Sequence, residues 1–574
     1  MQNKIKMTPS FLRQQTIGVD DLIDTPYGRK PMVYCDYTAS GRSLEFVESY
    51  VLKLQRSYAN THTEDDYSGR CMTVLMHEAE SLIKQSLNAG QDGRLISVGT
   101  GATGAISRLQ QMMGVYLPPA TRQLLKELAL KSLSDKDSEA MFASIKSKLP
   151  VVFVGPYEHH SNEVSWREGL AEVVEVELDS DGHIDLAHLE TLLKIPKYHG
   201  RVRIGAFSAA SNVTGLISDV SAIAKLLHQN DALACFDYAA SAPYVEIDMN
   251  PADADARMDA VFISPHKFIG GPGSAGILVF RGSIYNSELA PTHAGGGTVD
   301  YVGRLQHDFI SDVEERERSG TPGVLQVIRA ALAFGIKSEI GVDAIENIEQ
   351  TYLKRSFDRW KLCDEIEILG DDNPQNRVGI ISFNVKDPWG GVIHPRLVTV
   401  LLNDLFGIQS RAGCSCAGPY GHRLLNIDEG QSNEYRQAVK DGFHGVKPGW
   451  CRLGWHYSMD TLEVDYVIDA VLFLAKYGVR FLPEYHFDMS TSVWIHKNGQ
   501  PDISGLCIKS ASSARFNDAI YPSLSLLERT NAYDVVMREN IEKAKTLSLP
   551  QADSFTAFPE KIAHLQFFSF ISNR

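Results

Sequence analysis

Cysteine is scarce in this chain, with eight among 574 residues. So few thiols cannot form a disulfide scaffold, and reduced cysteines in a cytoplasm are the expectation. Long apolar runs are missing too. None approaches the roughly 18 to 20 residues a membrane span needs, and Met1 to Lys6 lacks the apolar stretch that follows in a secretory signal. Positive charge is in deficit: 56 Lys and Arg face 71 Asp and Glu, for a net charge of -15. That balance argues against a nucleic-acid or anionic-membrane partner. There is no internal repeat and no second Cys/His pair with zinc spacing, so no metal centre is expected.

What is present is the composition of a globular protein, in a chain too long for one core. Short, almost wholly apolar runs alternate with helical patterns: Leu95-Ile96-Ser97-Val98, Val151 to Val154, Val202 to Phe207, Leu233 to Asp237, Val261 to Ser264 and Gly276 to Phe280. Such runs with helical connections predict a mostly parallel sheet covered on both faces. The pattern divides the chain into an arm (1–30), a large domain (31–325) with a helical insertion near 118–149, a smaller α/β domain (326–482) and an extension (483–574). A helix is expected over Val324 to Lys337, another over Pro395 to Leu405 and a third over Thr461 to Tyr477. Residues 426–447, polar and glycine-spaced, read as a loop or hairpin. The extension holds one helical stretch, Tyr533 to Lys545, and a serine-rich segment near 510–526.

Two strand ends carry the chemistry. Ala260-Val261-Phe262-Ile263 delivers Ser264-Pro265-His266-Lys267 into the turn Gly270-Gly271-Pro272-Gly273, and Leu233 to Phe236 delivers Asp237. A strand-end lysine and a strand-end aspartate are the contacts pyridoxal phosphate needs most. The amine forms a Schiff base, and the carboxylate keeps the pyridine nitrogen protonated so that the ring can absorb electrons. Gly99-Thr100-Gly101-Ala102-Thr103-Gly104 follows a strand and opens a helix. A dinucleotide fingerprint would require an acidic residue about 20 positions on, where the sequence reads Leu117-Pro118-Pro119. A single phosphate on the helix N-terminus, or a purely structural turn, needs no such residue.

The remaining motifs each read two ways. His159, in Glu158-His159-His160-Ser161-Asn162, is a satisfied surface residue or a ring-stacking proton shuttle. Asn212, in Ser211-Asn212-Val213-Thr214-Gly215, is a turn residue or a hydrogen-bond donor to a cofactor oxygen. Arg411-Ala412-Gly413-Cys414-Ser415-Cys416-Ala417-Gly418-Pro419 is an inert loop or the seat of a mobile thiol, with Arg411 favouring thiolate. Arg452, among Trp450, Trp455 and His456, is structural or a carboxylate clamp.

In this order, these segments resemble the class V aminotransferase group of fold-type I pyridoxal-phosphate enzymes, and within it the cysteine desulfurase and selenocysteine lyase (SufS-like, Csd-like) branch. The resemblance spans Val33 to Tyr477. It implies an α/β fold: a large domain with a mostly parallel seven-stranded sheet, a smaller C-terminal α/β domain and an added extension. It implies that Lys267 is the Schiff-base lysine, Asp237 the pyridinium partner and His159 the stacking residue, with Asn212 on the cofactor. Thr103, Ala102, Ser264 and His266 correspond to the phosphate cradle, and Thr321 of Gly320-Thr321-Pro322 to a residue reaching the neighbouring subunit's phosphate. Arg452, Arg411 and Asn212 correspond to the substrate site, with Arg452 on the carboxylate, and Cys416 to the persulfide cysteine. Cys414 has no counterpart. A homodimer, L-cysteine as substrate and a sulfur-acceptor partner protein are implied in the same way.

The departures concern reaction more than cofactor. Where the desulfurases carry a glutamine three residues after the aspartate, this chain has Ala240. Gly101-Ala102-Thr103 stands for Gly-Thr-Thr, Gly104 for a glutamate, and Cys414-Ser415 for a double histidine. The implied reaction takes L-cysteine to L-alanine, with sulfur left on Cys416. An aminotransferase, epimerase or C-S lyase on the same scaffold would not need Cys416, and a regulatory protein would need no catalysis.

Overall fold

The computed structural model describes residues 7–61, 63–499 and 524–571. The expected serine-rich segment near 510–526 lies outside the described residues except for its last three. The chain forms two compact units. One comprises residues 39–346 with 376–378; the other comprises 1–38, 347–375 and 379–574.

The larger unit is built on seven strands in the order Gly93–Val98, Gly276–Arg281, Ala260–Ile263, Leu233–Asp237, Arg203–Ser208, Val151–Val154 and Glu172–Glu175. All neighbours run parallel except Gly276–Arg281, which is antiparallel on both sides. Val151 to Val154 and Ala260 to Ile263 are buried at every position, which is why these runs lack polar alternation. Register sets Ser208 opposite Asp237 and Asp237 opposite Phe262, so the parallel strands end along one edge. That edge is where ligands bind in open α/β sheets. The helix Gly101–Met112 packs Ala105, Ile106 and Leu109 against the sheet.

The expected helical insertion is two helices, Pro119–Ser132 and Asp135–Lys146, the first without a buried residue and the second burying only Ser138. Val324–Ile340 is a helix that buries nine side chains.

The smaller unit holds a four-stranded antiparallel sheet, Ile366–Ile368, Ile380–Val385, Trp450–Gly454 and Arg411–Gly413. Pro395–Phe406 and Thr461–Tyr477 are its principal helices, the second opened by a capping box between Asp460 and Glu463. The arm belongs to this unit. Val33–Tyr34 pairs in parallel with Ile408–Gln409, and Arg13 donates to Asp20 (3.1 Å) and Glu463 (2.9 Å) in a buried ionic cluster.

Residues 426–447 correct the loop reading. Glu429–Lys440 is a helix, capped by Asp428 and Gln431. Its polar composition hid it, because only Ala438 is fully buried. The helix expected at Tyr533 to Lys545 is longer, Leu526–Thr546, and starts at a Ser525/Glu528 capping box. After it the chain lays Phe558, Ile562, Leu565, Phe568 and Phe570 into the core of the smaller unit. His394 sits there against Phe568, with ring centroids 4.5 Å apart. Among the described residues no helix is long and apolar enough to cross a membrane.

Candidate active site

At the carboxyl edge of the large sheet lies a cavity of about 190 Å³, lined among others by Lys267, Asp237, His159, Asn212, Ala102, Thr103, Ser264 and His266. Eight residues singled out from sequence therefore meet at one place. The volume suits a single small ring, below the several hundred Å³ of larger ligand sites.

Lys267 closes a short turn, Pro265–Lys267, directly after its strand. The turn is clamped from outside: Gly41 N–H donates to His266 O (2.9 Å) and Gly270 N–H to Arg42 O (2.7 Å). A Cβ on Gly41 would lie 1.9 Å from Phe268 O, and one on Gly271 1.9 Å from Pro265 O. Only glycine permits this approach, and the lysine backbone is thereby fixed.

Asp237 is 4% exposed, and Ala239 N–H donates to its Oδ1 at 2.8 Å. Burial raises its pKa, against the Ala239 amide and the positive charge of Lys267. A buried carboxyl in that position gains from a cationic ring nitrogen opposite it.

The other end of the cavity is an anion cradle. Gly101 has φ of 59°, and a Cβ there would stand 2.7 Å from Ser264 Oγ and 2.9 Å from a His266 ring carbon. Ser264 Oγ accepts from Ala102 N–H at 2.9 Å. The helix that starts at Gly101 turns its amide end toward these hydroxyls. His266 is held down to about 4 by burial and the Lys267 charge, so its imidazole is neutral at pH 7. These residues fit pyridoxal phosphate: an amine, a buried carboxyl and a phosphate cradle.

His159 Nδ1 accepts from Ser161 N–H (3.1 Å), which puts the neutral ring's proton on Nε2. Ser161 Oγ links Nδ1 to Thr103 Oγ1, at 3.1 and 2.7 Å. Sequence reasoning quoted Ser161 without giving it this role. It also passed over Glu158, whose carboxyl accepts from Ser208 N–H (2.8 Å), Ser208 Oγ (2.7 Å) and Asn162 Nδ2 (2.7 Å). Burial chiefly, with the charge of Asp237 adding to it, pushes Glu158 up to about 8 despite those donors. Thr321 is not brought to this cavity by its own chain; its Oγ1 accepts from Asn60 Nδ2 at 3.1 Å on an exposed segment.

The smaller unit holds the other candidates. Arg411 and Arg452 face each other across adjacent strands. Asp36, just beyond the Val33–Tyr34 strand, accepts from both: Oδ2 from Arg411 Nε at 2.9 Å and Oδ1 from an Arg452 terminal nitrogen at 3.3 Å. Burial lowers the Arg452 pKa while Asp36 and Cys416 oppose that shift, so Cys416 lies within electrostatic reach of Arg452. The signal for Asp36 was available, since it ends an apolar run as Asp237 does. Cys414 and Cys416 are both exposed. Ala417 N–H closes a turn on Cys414 O (3.0 Å), with Ser415 at φ 50° and Cys416 at φ 58°. Two non-glycine residues in the left-handed region make this a strained turn.

The profile of the Aminotransferase class-V family matches residues 140–467. The chain belongs to the class-V aminotransferase family. Among its relatives, a "Probable cysteine desulfurase" of Halalkalibacterium halodurans is 26% identical over 433 residues, 75% of this chain and 94% of that protein. Another so named, from Pyrococcus abyssi, is 32% identical over 278 residues, 47% of this chain and 63% of that one. Two solved structures share the fold. The apo cysteine desulfurase of Thermococcus onnurineus superposes with a TM-score of 0.60 at 21% identity, covering 78% of this chain and 95% of its own. The cysteine desulfurase CsdA of Escherichia coli gives 0.58 at 21% identity, covering 82% and 98%. The mostly parallel seven-stranded sheet expected from sequence is thus the fold these structures share.

Proposed function

We propose that this class-V protein is a pyridoxal-phosphate-dependent cysteine desulfurase that converts L-cysteine to L-alanine and leaves the sulfur on Cys416. The observation that carries the reading is the meeting of Lys267 and Asp237 on one small cavity whose far end is an anion cradle. The names of the relatives support the choice of cysteine.

Pyridoxal phosphate, when bound, supplies an electrophilic carbonyl and an electron sink. The rest is the chain's work. Lys267 is the residue that would hold that carbonyl, and its amine, when free, would carry the α-proton of the substrate. Asp237 would orient the ring and keep a proton on its nitrogen. The Gly101 amide end, Thr103 and Ser264 would hold the phosphate, and His159 would stack on the ring, with Nε2–H available for proton transfer. Asn212 contributes a side-chain amide at the cavity wall. Arg452, assisted by Arg411, receives the substrate carboxylate. Cys416 thiolate attacks the substrate sulfur, so that an S–S bond forms and the C–S bond breaks with its electron pair going to carbon. Sulfur is oxidised and carbon reduced, and no outside oxidant is needed. The persulfide then passes to an acceptor, either a partner protein or a small thiol. Thr321 would act on a neighbouring subunit's phosphate in a homodimer, working in a cytoplasm.

Ala240 favours one competing reading. Without a glutamine beside the ring, an aminotransferase, epimerase or C-S lyase that does not use Cys416 is chemically consistent. Release of sulfide and alanine from L-cysteine, measured for the natural protein and for Cys416→Ala and Cys414→Ala, separates the two. Loss of activity in Cys416→Ala alone is expected. Full activity in that variant would overturn the desulfurase assignment.

A further inference from the structure

The smaller unit holds a cavity of its own. It is a cleft of about 690 Å³, inside the range of sites for small organic ligands. Its floor is the sheet: Glu367 and Asn384 are directly opposed on neighbouring strands. One wall is Trp389 on the turn after Asn384, another is Tyr435 on the Glu429–Lys440 helix, and a third is Phe567 from the tail. That last wall lies beyond the residues matched by the family profile.

The tail is built into the cleft and not merely lying on it. Val392 N–H donates to Phe567 O (3.2 Å), and Trp389 meets Phe555 edge to face at 4.6 Å. A Cβ on Gly391 would stand 2.8 Å from Phe567 O. His564 and Lys561 pair with Glu434 and Asp441, tying the tail to the helix that bears Tyr435.

The polar groups lean one way. Asn384 is 5% exposed, and its Oδ1 is buried with no hydrogen-bond partner among the described residues, a state that calls for an explanation. Glu367 carries a carboxylate outside every ion pair described. Asp387 spends Oδ1 on the amides of Trp389 (2.9 Å) and Gly391 (2.8 Å), which leaves Oδ2. Lys386, the one cation among the described residues of the lining, donates instead to Asp364 O at 3.1 Å. Carboxylates beside aromatic faces attract a positive charge, and aromatic walls favour a flat body.

We propose that this cleft is a second ligand site, for a small organic cation that carries N–H donors on a planar or apolar body, such as an amidinium or guanidinium compound. Glu367 and Asp387 take the charge, Asn384 takes a hydrogen bond, and Trp389, Tyr435 and Phe567 enclose the body. Gly449, on the lining, packs against the backbone of Gly413, where the Cys414–Cys416 turn begins; a Cβ on Gly449 would lie 2.9 Å from the Gly413 carbonyl carbon. Occupancy would therefore bear on the backbone that carries the thiols.

Calorimetric titration of the full-length protein with benzamidine, neutral benzamide and anionic benzoate tests this. Benzamidine is expected to bind saturably at one site per chain, with benzamide at least about tenfold weaker and benzoate not binding. Glu367→Gln, an exposed change that leaves packing intact, and Trp389→Ala are each expected to weaken benzamidine about tenfold. Absence of saturable benzamidine binding overturns the proposal. So does equal affinity for the three compounds, or unchanged benzamidine affinity in Glu367→Gln.

Discussion

Asp36 holds two guanidiniums that a substrate carboxylate would also need, and replacing it with asparagine tests what that contact does. The Arg452 side chain is 5% exposed and that of Asp36 14%, with 3.3 Å between the charged atoms. At an effective dielectric constant near 20 the attraction is about 5 kcal/mol before desolvation is counted. Removing one partner of a buried pair leaves the other uncompensated, at a cost of roughly 3 to 5 kcal/mol. The Arg411 side chain is 52% exposed, so its share is screened to under about 1 kcal/mol. Asp36→Asn should therefore lower stability by about 3 kcal/mol, read as a shift in the urea midpoint. Carboxylate binding should move in the opposite direction. Propionate, which has the carboxylate but no amine, should bind about tenfold tighter once Asp36 no longer competes for Arg452. A stability loss without tighter propionate binding would mean that Asp36 only props the arginines. No change in either would mean that the contact has no weight in solution.

Three further outcomes are expected. Lys267→Ala should abolish both the visible absorbance of the cofactor adduct and turnover of L-cysteine; a retained band in that variant would place the attachment elsewhere. His394 is pushed down to about 3 by burial, so the unfolded chain takes up a proton below pH 6.5 that the folded chain refuses. Its contribution is present above pH 6.5 and is lost as pH falls, by about 2 kcal/mol at pH 5; the same change in urea midpoint from pH 7 to 5 in the natural protein and in His394→Gln would refute this. Phe568, 2% exposed against His394, should cost about 3 to 5 kcal/mol on truncation to alanine. Faster proteolysis beyond Leu547 should reveal it.

The parts legible in sequence were those where one residue type has one physical job. Lys267 and Asp237 each follow a run too apolar to be anything but a buried strand, and Gly101 sits where no side chain fits. Ser161 was not legible, because its role is a bridge between Thr103 and His159, and 58 positions separate it from Thr103. Asp36 differs, since the apolar run before it was a signal, and only its partners, far away along the chain, were not legible. The helix Glu429–Lys440 was misread because exposed polar residues and nearby Gly430 and Gly442 resemble a loop. Its Asp428/Gln431 capping box was the signal to weigh. In the tail, Phe567, Phe568 and Phe570 alternate too irregularly for a strand or helix pattern, and only packing explains them.

The smaller unit is assembled from both ends of the polypeptide, with Asp36 and Arg411 separated by 375 positions. A ribosome therefore releases residues 39–346 as a unit able to complete its sheet early, while the leading segment waits. Val33, Cys35 and Tyr37 have no home until Ile408 and its neighbours emerge. Closing so long a loop is slow, and exposed apolar segments invite association in the meantime. Assembly of the arginine pair around Asp36 is thus a late event in biosynthesis, and chains stalled before position 411 would carry a finished seven-stranded sheet and no arginine pair.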